Sequence, residues 1–290
     1  MAVDKNLFLY DVSIAAILKN EGHYLKEWLD YHLLAGVNHF YIYDNESTDD
    51  TKEILKPYID ARVVTYTFWP GTSQQFPVYN DALKKCRYYS RYTAFIDGDE
   101  FIFPQNNKTI PEVVEEIFSL DSDAGVLCIN GMVYGSNYQE KADYSKGVLE
   151  RFTRRVPKDL THFDERTNNW VDNAVVKNII NPRYVDFIGD PHFIAPMIGR
   201  SRINEQGKIV NTWSNYPVMY DKIFTNHYHS KSREEFIIRL GNGDAVFGKK
   251  PYGSENFDAS EKANNAEFDD SILKYRDARY YSGGGHNKAA

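Results

Sequence analysis

Apolar residues in the first hundred positions come in two rhythms that alternate. Val12 to Leu18 is apolar apart from Ser13 and is bounded by polar residues, which predicts a short buried strand. After the turn Lys19-Asn20-Glu21-Gly22, the residues Leu25, Trp28, Leu29, His32 and Leu33 recur at helical spacing as far as Gly36. Phe40 to Tyr43 is a second strand. Ser47 with Asp50 three positions on reads as a variant capping box, so a helix from about Thr48 to just before Pro57 is expected. Arg62 to Phe68 is a third strand, Pro77 to Ser90 a third helix and Tyr92 to Ile96 a fourth strand. Strands that alternate with helices in this way predict right-handed βαβ units on a mostly parallel sheet, a Rossmann-like α/β architecture.

The second half is less regular. A helix over 110–119 opens with Pro111. Ala124 to Val133, Val148 to Val156, Val175 to Ile180, Tyr184 to Ile188 and Lys222 to Tyr228 all read as strands. Ile209-Val210 suggests a hairpin, a small antiparallel addition to the sheet. Ser230-Lys231-Ser232 opens a helix to about Leu240. Gly241 to Glu267 reads as a long flexible connection and Asp269 to Arg279 as an exposed helix. The expected division is a main domain over 1–245 in two halves, 1–105 and 106–245, followed by a flexible extension over 246–290.

Composition narrows the class. The 34 basic and 41 acidic residues give a net charge of −7, which argues against a nucleic-acid partner. Cys86 and Cys128 form no metal spacing or disulfide framework and read as reduced thiols. The residues from Met1 show no basic, apolar leader pattern, and no run reaches the roughly 18 apolar residues of a membrane span. A cytoplasmic protein is therefore expected, with peripheral membrane contact at the inner face through Tyr275, Tyr280 and Tyr281 as a further expectation. The tail from Gly283 reads as low-complexity chain.

Candidate chemistry gathers at strand ends. In an open parallel sheet, ligands bind beyond the carboxyl ends of the strands. Lys19-Asn20-Glu21, Asp44-Asn45-Glu46-Ser47 and Asp97-Gly98-Asp99 all fall there. Asp97 and Asp99 are i and i+2, so an extended chain points both to one face, and Gly98 permits close approach to the backbone. Two hard oxygen donors there suit Mg²⁺ or Mn²⁺ holding a diphosphate. Asp99 is the first-choice metal ligand, with Asp97 reaching the metal through water or meeting ribose hydroxyls. Glu100 points the opposite way and is expected to pair with a buried basic group. There is no GxGxxG and no P-loop pattern.

Several motifs in order also resemble one known family. Lys19-Asn20-Glu21, Glu27-Trp28, Tyr31-His32, Gly36-Val37 and Tyr43-Asp44-Asn45-x-Ser47-x-Asp49 are similar to the opening of GT-A glycosyltransferases of families 2 and 92. Gln75, Tyr79-Asn80-Asp81-Ala82 and Asp97-Gly98-Asp99-Glu100-Phe101 continue the pattern. Tyr134 to Asn137, Lys177 to Val185 (with Asn178 and Asn181 as departures) and His227 to Phe236 resemble later family segments. The resemblance covers about residues 12–245. It implies a GT-A fold, a UDP-sugar donor with UDP-galactose leading, inversion at the anomeric carbon, and His227 as a third metal ligand or a diphosphate contact.

The remaining roles follow from residue chemistry. Lys231 suits the diphosphate, and Ser232 caps the next helix. Asp44 can accept the imide N–H of uracil, with Asn45 beside it. Asn20 and Glu21 are placed on base or ribose, Gln75 and Asn80 on the donor through their amides, with Lys19 and Arg91 as weaker candidates. The general base of an inverting reaction is sought among Asp164, Glu165, Asp172, Asp190 and Asp244. Asp172 is preferred for the aromatic neighbour Trp170, while Gly189-Asp190-Pro191-His192 reads equally as a turn. The expected acceptor is a glycan or lipid-linked saccharide. A nucleotidyltransferase making a sugar nucleotide and a non-catalytic nucleotide- or sugar-binding module are the alternatives.

Overall fold

A computed structural model describes residues 7–243, 246 and 253–282; the tail from Gly283 lies outside the described residues. The alternating first third folds as its pattern predicts. It runs β1 (Tyr10–Leu18), α1 (Gly22–Leu34), β2 (His39–Asp44), α2 (Thr51–Asp60), β3 (Val64–Phe68), α3 (Gln75–Tyr89) and β4 (Ser90–Phe95). β3, β2, β1 and β4 pair in parallel in that order, with Leu18 opposite Asp44 at the carboxyl edge. The period of two is visible in β1. Val12, Ile14, Ala16 and Leu18 face one buried layer with Leu25, Trp28 and Leu29 of α1, while Ala15 and Ile17 face Val78, Tyr79 and Ala82 of α3. Helices cover both faces, as a parallel sheet requires.

The sheet then turns mixed. β5 (Glu100–Pro104), α4 (Ile110–Phe118) and β6 (Ala124–Val133) follow β4, and later come β10 (Val176–Ile180), β11 (Ser201–Ile203) and β12 (Ile223–His227). β10 runs antiparallel between β4 and β6. On its other edge β6 pairs first with β11 and then with β12, and β12 carries β5 antiparallel, with Glu100 opposite His227. Thr109 and Glu112 close a capping box at α4, whose N1 position is held near Pro111.

Between β6 and β10 lie α5 (Val148–Arg151), β7 (Arg154–Arg155), β8 (Phe163–Asp164) and β9 (Asn169–Trp170). The strand expected over Val148 to Val156 is thus a helical turn plus two residues, and Tyr184 to Ile188 is a 3₁₀ turn (Pro182–Tyr184) and loop rather than a strand. Apolar content alone does not fix the period over so few residues. Two start and stop signals also misled. α2 begins at Thr51, because Ser47 accepts from Asn20 N–H instead of capping, and it runs through Pro57, carried by buried Leu55 and Tyr58 on its inner face.

Beyond α6 (Arg233–Asn242), the expected long connection instead contains α7 (Glu255–Asn264) and the short strand β13 (Glu267–Phe268), followed by α8 (Ser271–Tyr281). Phe257, Asn265, Ile272 and Tyr275 are buried. Arg155 of β7 holds Asp269 and Glu267 at 2.7 and 2.6 Å. Tyr275 packs between Tyr31 and Phe103 and donates to Lys108 O, so it is a core residue and not a membrane contact. Over its described residues, the segment expected as a flexible extension is part of the packed body. Among the described residues, no helix is long and apolar enough to cross a membrane.

Candidate functional site

The three polar clusters meet at the carboxyl edge. Asn45 N–H donates to Leu18 O and Asn20 N–H to Ser47 Oγ, which ties the end of β1 to the end of β2. A cavity of about 290 Å³ opens over this edge. Its polar lining includes Lys19, Glu21, Asn45, Gln75, Asp97, Asp99, Lys177, His192 and Arg239.

Asp97-Gly98-Asp99 is not extended. Glu100 N–H donates back to Asp97 O, closing a tight turn that sends the two aspartates to different partners. A Cβ at Gly98 would sit 2.6 Å from Leu18 Cδ2, so a larger residue there would displace the Leu18 side chain. Asp97 is taken up by the chain. Its Oδ2 accepts from Lys177 Nζ at 2.7 Å and its Oδ1 from Gln75 Nε2 at 3.3 Å. Lys177 also lies 3.3 Å from Glu100, the buried basic partner expected for that residue. Burial disfavours the Lys177 charge, yet Asp97 and Glu100 outweigh it and raise its pKa. Asp97 therefore fits poorly as a direct metal ligand.

Asp99 is different. It is buried, and among the described residues neither carboxylate oxygen accepts a hydrogen bond. His227 Nε2 lies 3.4 Å from Oδ1 without a hydrogen bond of its own among those residues, and Arg239 Nη2 lies 3.3 Å from Oδ2. Burial opposes charge on Asp99, but Arg239 and His227 overcome it and hold its carboxyl well below the usual range. Burial likewise opposes charge on His227, and Asp99 raises its pKa. The register of β12 against β5, together with Tyr228 N–H donating to Asp99 O, brings His227 across 128 positions to Asp99. An orphaned carboxylate oxygen beside an orphaned imidazole nitrogen fits two adjacent positions of an octahedral ion, whose ligands at about 2.1 Å stand about 3 Å apart. Among the described residues, no group of three or more His, Cys, Asp or Glu could hold a metal by itself.

The other expected residues divide. Glu21 borders both this cavity and a smaller one lined also by Asn20, His23, Tyr24, Tyr144 and Lys231. Burial raises the Glu21 pKa and Lys231, 3.7 Å away, partly offsets the rise. Lys231 is buried under the Tyr24 ring, on the far side of Glu21 from the main cavity. Asn45 lines the cavity, but its amide already bridges Trp69 O and Gly71 O. Asp44 is buried outside the cavity lining, and its two oxygens accept from Ser47 N–H and Tyr66 OH. Asn20 Oδ1 accepts from Thr48 N–H, and its amide reaches Asn242 of α6. Asn80 is no donor contact: its side chain clamps the backbone of Ile188 at both N–H and C=O. Asp172 does not line the cavity. It sits in a 3₁₀ turn after β9 with its carboxylate 2.6 Å from His162 Nδ1. Ser232 caps α6 in a capping box with Glu235.

Lys177 and Arg239 are site residues that reading by strand end does not single out. β10 is antiparallel, so its amino end, not its carboxyl end, reaches this edge. Arg239 is one of several charges on an amphipathic helix, and its direction depends on how α6 docks.

Comparison with known proteins fixes the family. The model of glycosyltransferase family 92 matches residues 12–274. The chain belongs to glycosyltransferase family 92. A family 92 protein of Oryza sativa subsp. japonica is 24% identical over 255 residues, 88% of this chain and 39% of the relative. A galactan beta-1,4-galactosyltransferase of Arabidopsis thaliana is 31% identical over 237 residues, 77% of this chain and 40% of the relative. The chain thus spans about two fifths of the length of these relatives. S. aureus TarS in complex with UDP-GlcNAc aligns with 96% of this chain and 74% of its own at 14% identity, with a TM-score of 0.42. The fold is α/β, with a mostly parallel sheet, antiparallel additions and the site at its carboxyl edge.

Proposed function

We propose that this chain is a metal-dependent galactosyltransferase that moves galactose from UDP-galactose to a glycan or lipid-linked saccharide, with inversion at the anomeric carbon. The observation that carries the reading is the buried Asp99–His227 pair beside Arg239 in the edge cavity, whose facing atoms make no hydrogen bond among the described residues. Asp99 and His227 would hold Mn²⁺ or Mg²⁺, with diphosphate oxygens completing the coordination. The bound ion would supply Lewis-acid stabilisation of the leaving diphosphate. The chain does the rest. Arg239 places a cation at the same end of the cavity. Lys177 and Gln75 hold Asp97, and Gln75 and Lys19 line the same cavity. Galactose is favoured because relatives named as galactan galactosyltransferases cover most of this chain. The membership in a transferase family favours this reading over a nucleotidyltransferase or a passive binding module.

The test is UDP release from UDP-galactose with Mn²⁺ and a β-1,4-galactan oligosaccharide. Asp99→Ala is expected to lower turnover by at least about 100-fold, in line with loss of an electrostatic catalytic group, while its far-ultraviolet circular dichroism stays unchanged. Turnover within fivefold of the parent would refute the reading.

A further inference from the structure

The reading above needs a group to take the acceptor's proton, and the preferred sequence candidate, Asp172, is outside the cavity. We infer that His192 is the general base. The loop that carries it is fixed from four directions. Asp190 Oδ1 accepts from the N–H groups of His192 and Phe193, at 2.7 and 2.8 Å. Asn178 of β10 donates to Pro191 O at 2.9 Å, and Arg202 donates to His192 O at 3.2 Å while stacking on Phe193. The ring itself meets the carbonyl of Val176 through Nδ1 at 3.0 Å.

That last contact decides the tautomer. A carbonyl only accepts, so Nδ1 carries the proton and Nε2 keeps its lone pair. Nε2 has no hydrogen-bond partner among the described residues, and the side chain lines the main cavity beside Lys177 and Pro191. Burial and the nearby Lys177 cation bring its pKa down to about 4, with Val176 O, Asp97 and Asp190 acting in the opposite direction. The imidazole is therefore neutral before the reaction.

Among the described residues the cavity has few rivals for this role; the candidate Asp244 lies outside them. Glu21 lies toward Lys231 and Asp99, the leaving-group end. Asp97 is ion-paired with Lys177 and accepts from Gln75, and Asp190 does not line the cavity. In the step proposed, the acceptor hydroxyl oxygen forms a bond to the anomeric carbon as the bond from that carbon to the diphosphate oxygen breaks. That bonding pair leaves on UDP, and the hydroxyl proton passes to His192 Nε2 and then to water.

The inference rests on the transferase reading, and the test separates the two. His192→Asn keeps an amide donor near the Nδ1 position for Val176 O but has nothing at Nε2; His192→Ala removes both. UDP release from UDP-galactose with galactan oligosaccharide is measured alongside Mn²⁺-dependent UDP affinity by calorimetry. Both variants are expected to keep UDP affinity within about threefold and to lose turnover by roughly 100-fold or more, with added imidazole restoring part of it in His192→Ala. Turnover within fivefold of the parent in His192→Asn overturns the inference and leaves the transferase reading intact. Loss of UDP affinity in both variants also overturns it, making His192 a donor contact. If the parent binds no UDP, the transferase reading fails instead.

Discussion

At the level of single residues, Lys177 is the hinge of the site's charge balance. It is nearly inaccessible and serves two carboxylates at once, at 2.7 and 3.3 Å. Removing one partner of a buried ion pair costs about 3–5 kcal/mol, because the charges left behind remain desolvated. Lys177→Met is expected to destabilise the fold by that order, read as a lower urea midpoint at unchanged slope. A change below about 1 kcal/mol would show that Asp97 and Glu100 find water instead. Residue types at the site were partly legible in the sequence. Three carboxylates in four positions, 97, 99 and 100, could not all be buried without cations nearby, and the structure supplies Lys177, Arg239 and His227. Which carboxylate meets which cation was not legible, because a single turn at Gly98 decides it. Asp44, Asn80 and Asp172 lie outside the cavity lining. Each has the chemistry of a ligand contact, and each is used by a neighbouring backbone or side chain that sequence spacing does not reveal.

At the level of elements, α6 matters most, since it delivers Arg239. Its first turn is anchored by Glu235, whose carboxylate meets Arg151 at 2.8 and 2.7 Å and also accepts from Ser232 and Tyr24. Burial opposes the Glu235 charge, but the hydrogen bonds from Arg151, Ser232 and Tyr24 overcome it and hold the pKa to about 2. An unfolded glutamate titrates near 4.3, so the folded state binds fewer protons between those values. The stabilisation is complete above about pH 4.3 and is lost as the pH falls toward 2, at up to about 1.4 kcal/mol per pH unit. Glu235→Gln is expected to lower stability at pH 7 and to flatten the acid limb of a stability-against-pH curve between pH 4.3 and 2. An unchanged slope would mean that the ion pair is solvated. The βαβ elements were legible because each has enough residues to show its period. β7, β8, β9 and β13 have two residues each, too few for any period, and they form only where distant partners pair with them.

At the level of the whole molecule, the chain builds one packed body from its alternating half and its irregular half, closed by α7 and α8. Phe257, Ile272 and Tyr275 are buried, and each such side chain contributes about 1.5–3 kcal/mol. Removing residues 253–290 is expected to lower the melting temperature by more than about 10 °C; an unchanged melting temperature would show that this segment is dispensable. Low apolar density hid this packing in the sequence, since three well-spaced anchors suffice. The most direct test of the central claim is calorimetric titration of UDP into the parent chain and into Asp99→Ala, each with Mn²⁺ and with EDTA. The parent is expected to bind UDP at least about tenfold more tightly with Mn²⁺ than with EDTA, and Asp99→Ala to lose that difference. UDP affinity that is the same in all four titrations would contradict a metal-dependent donor site at Asp99 and His227.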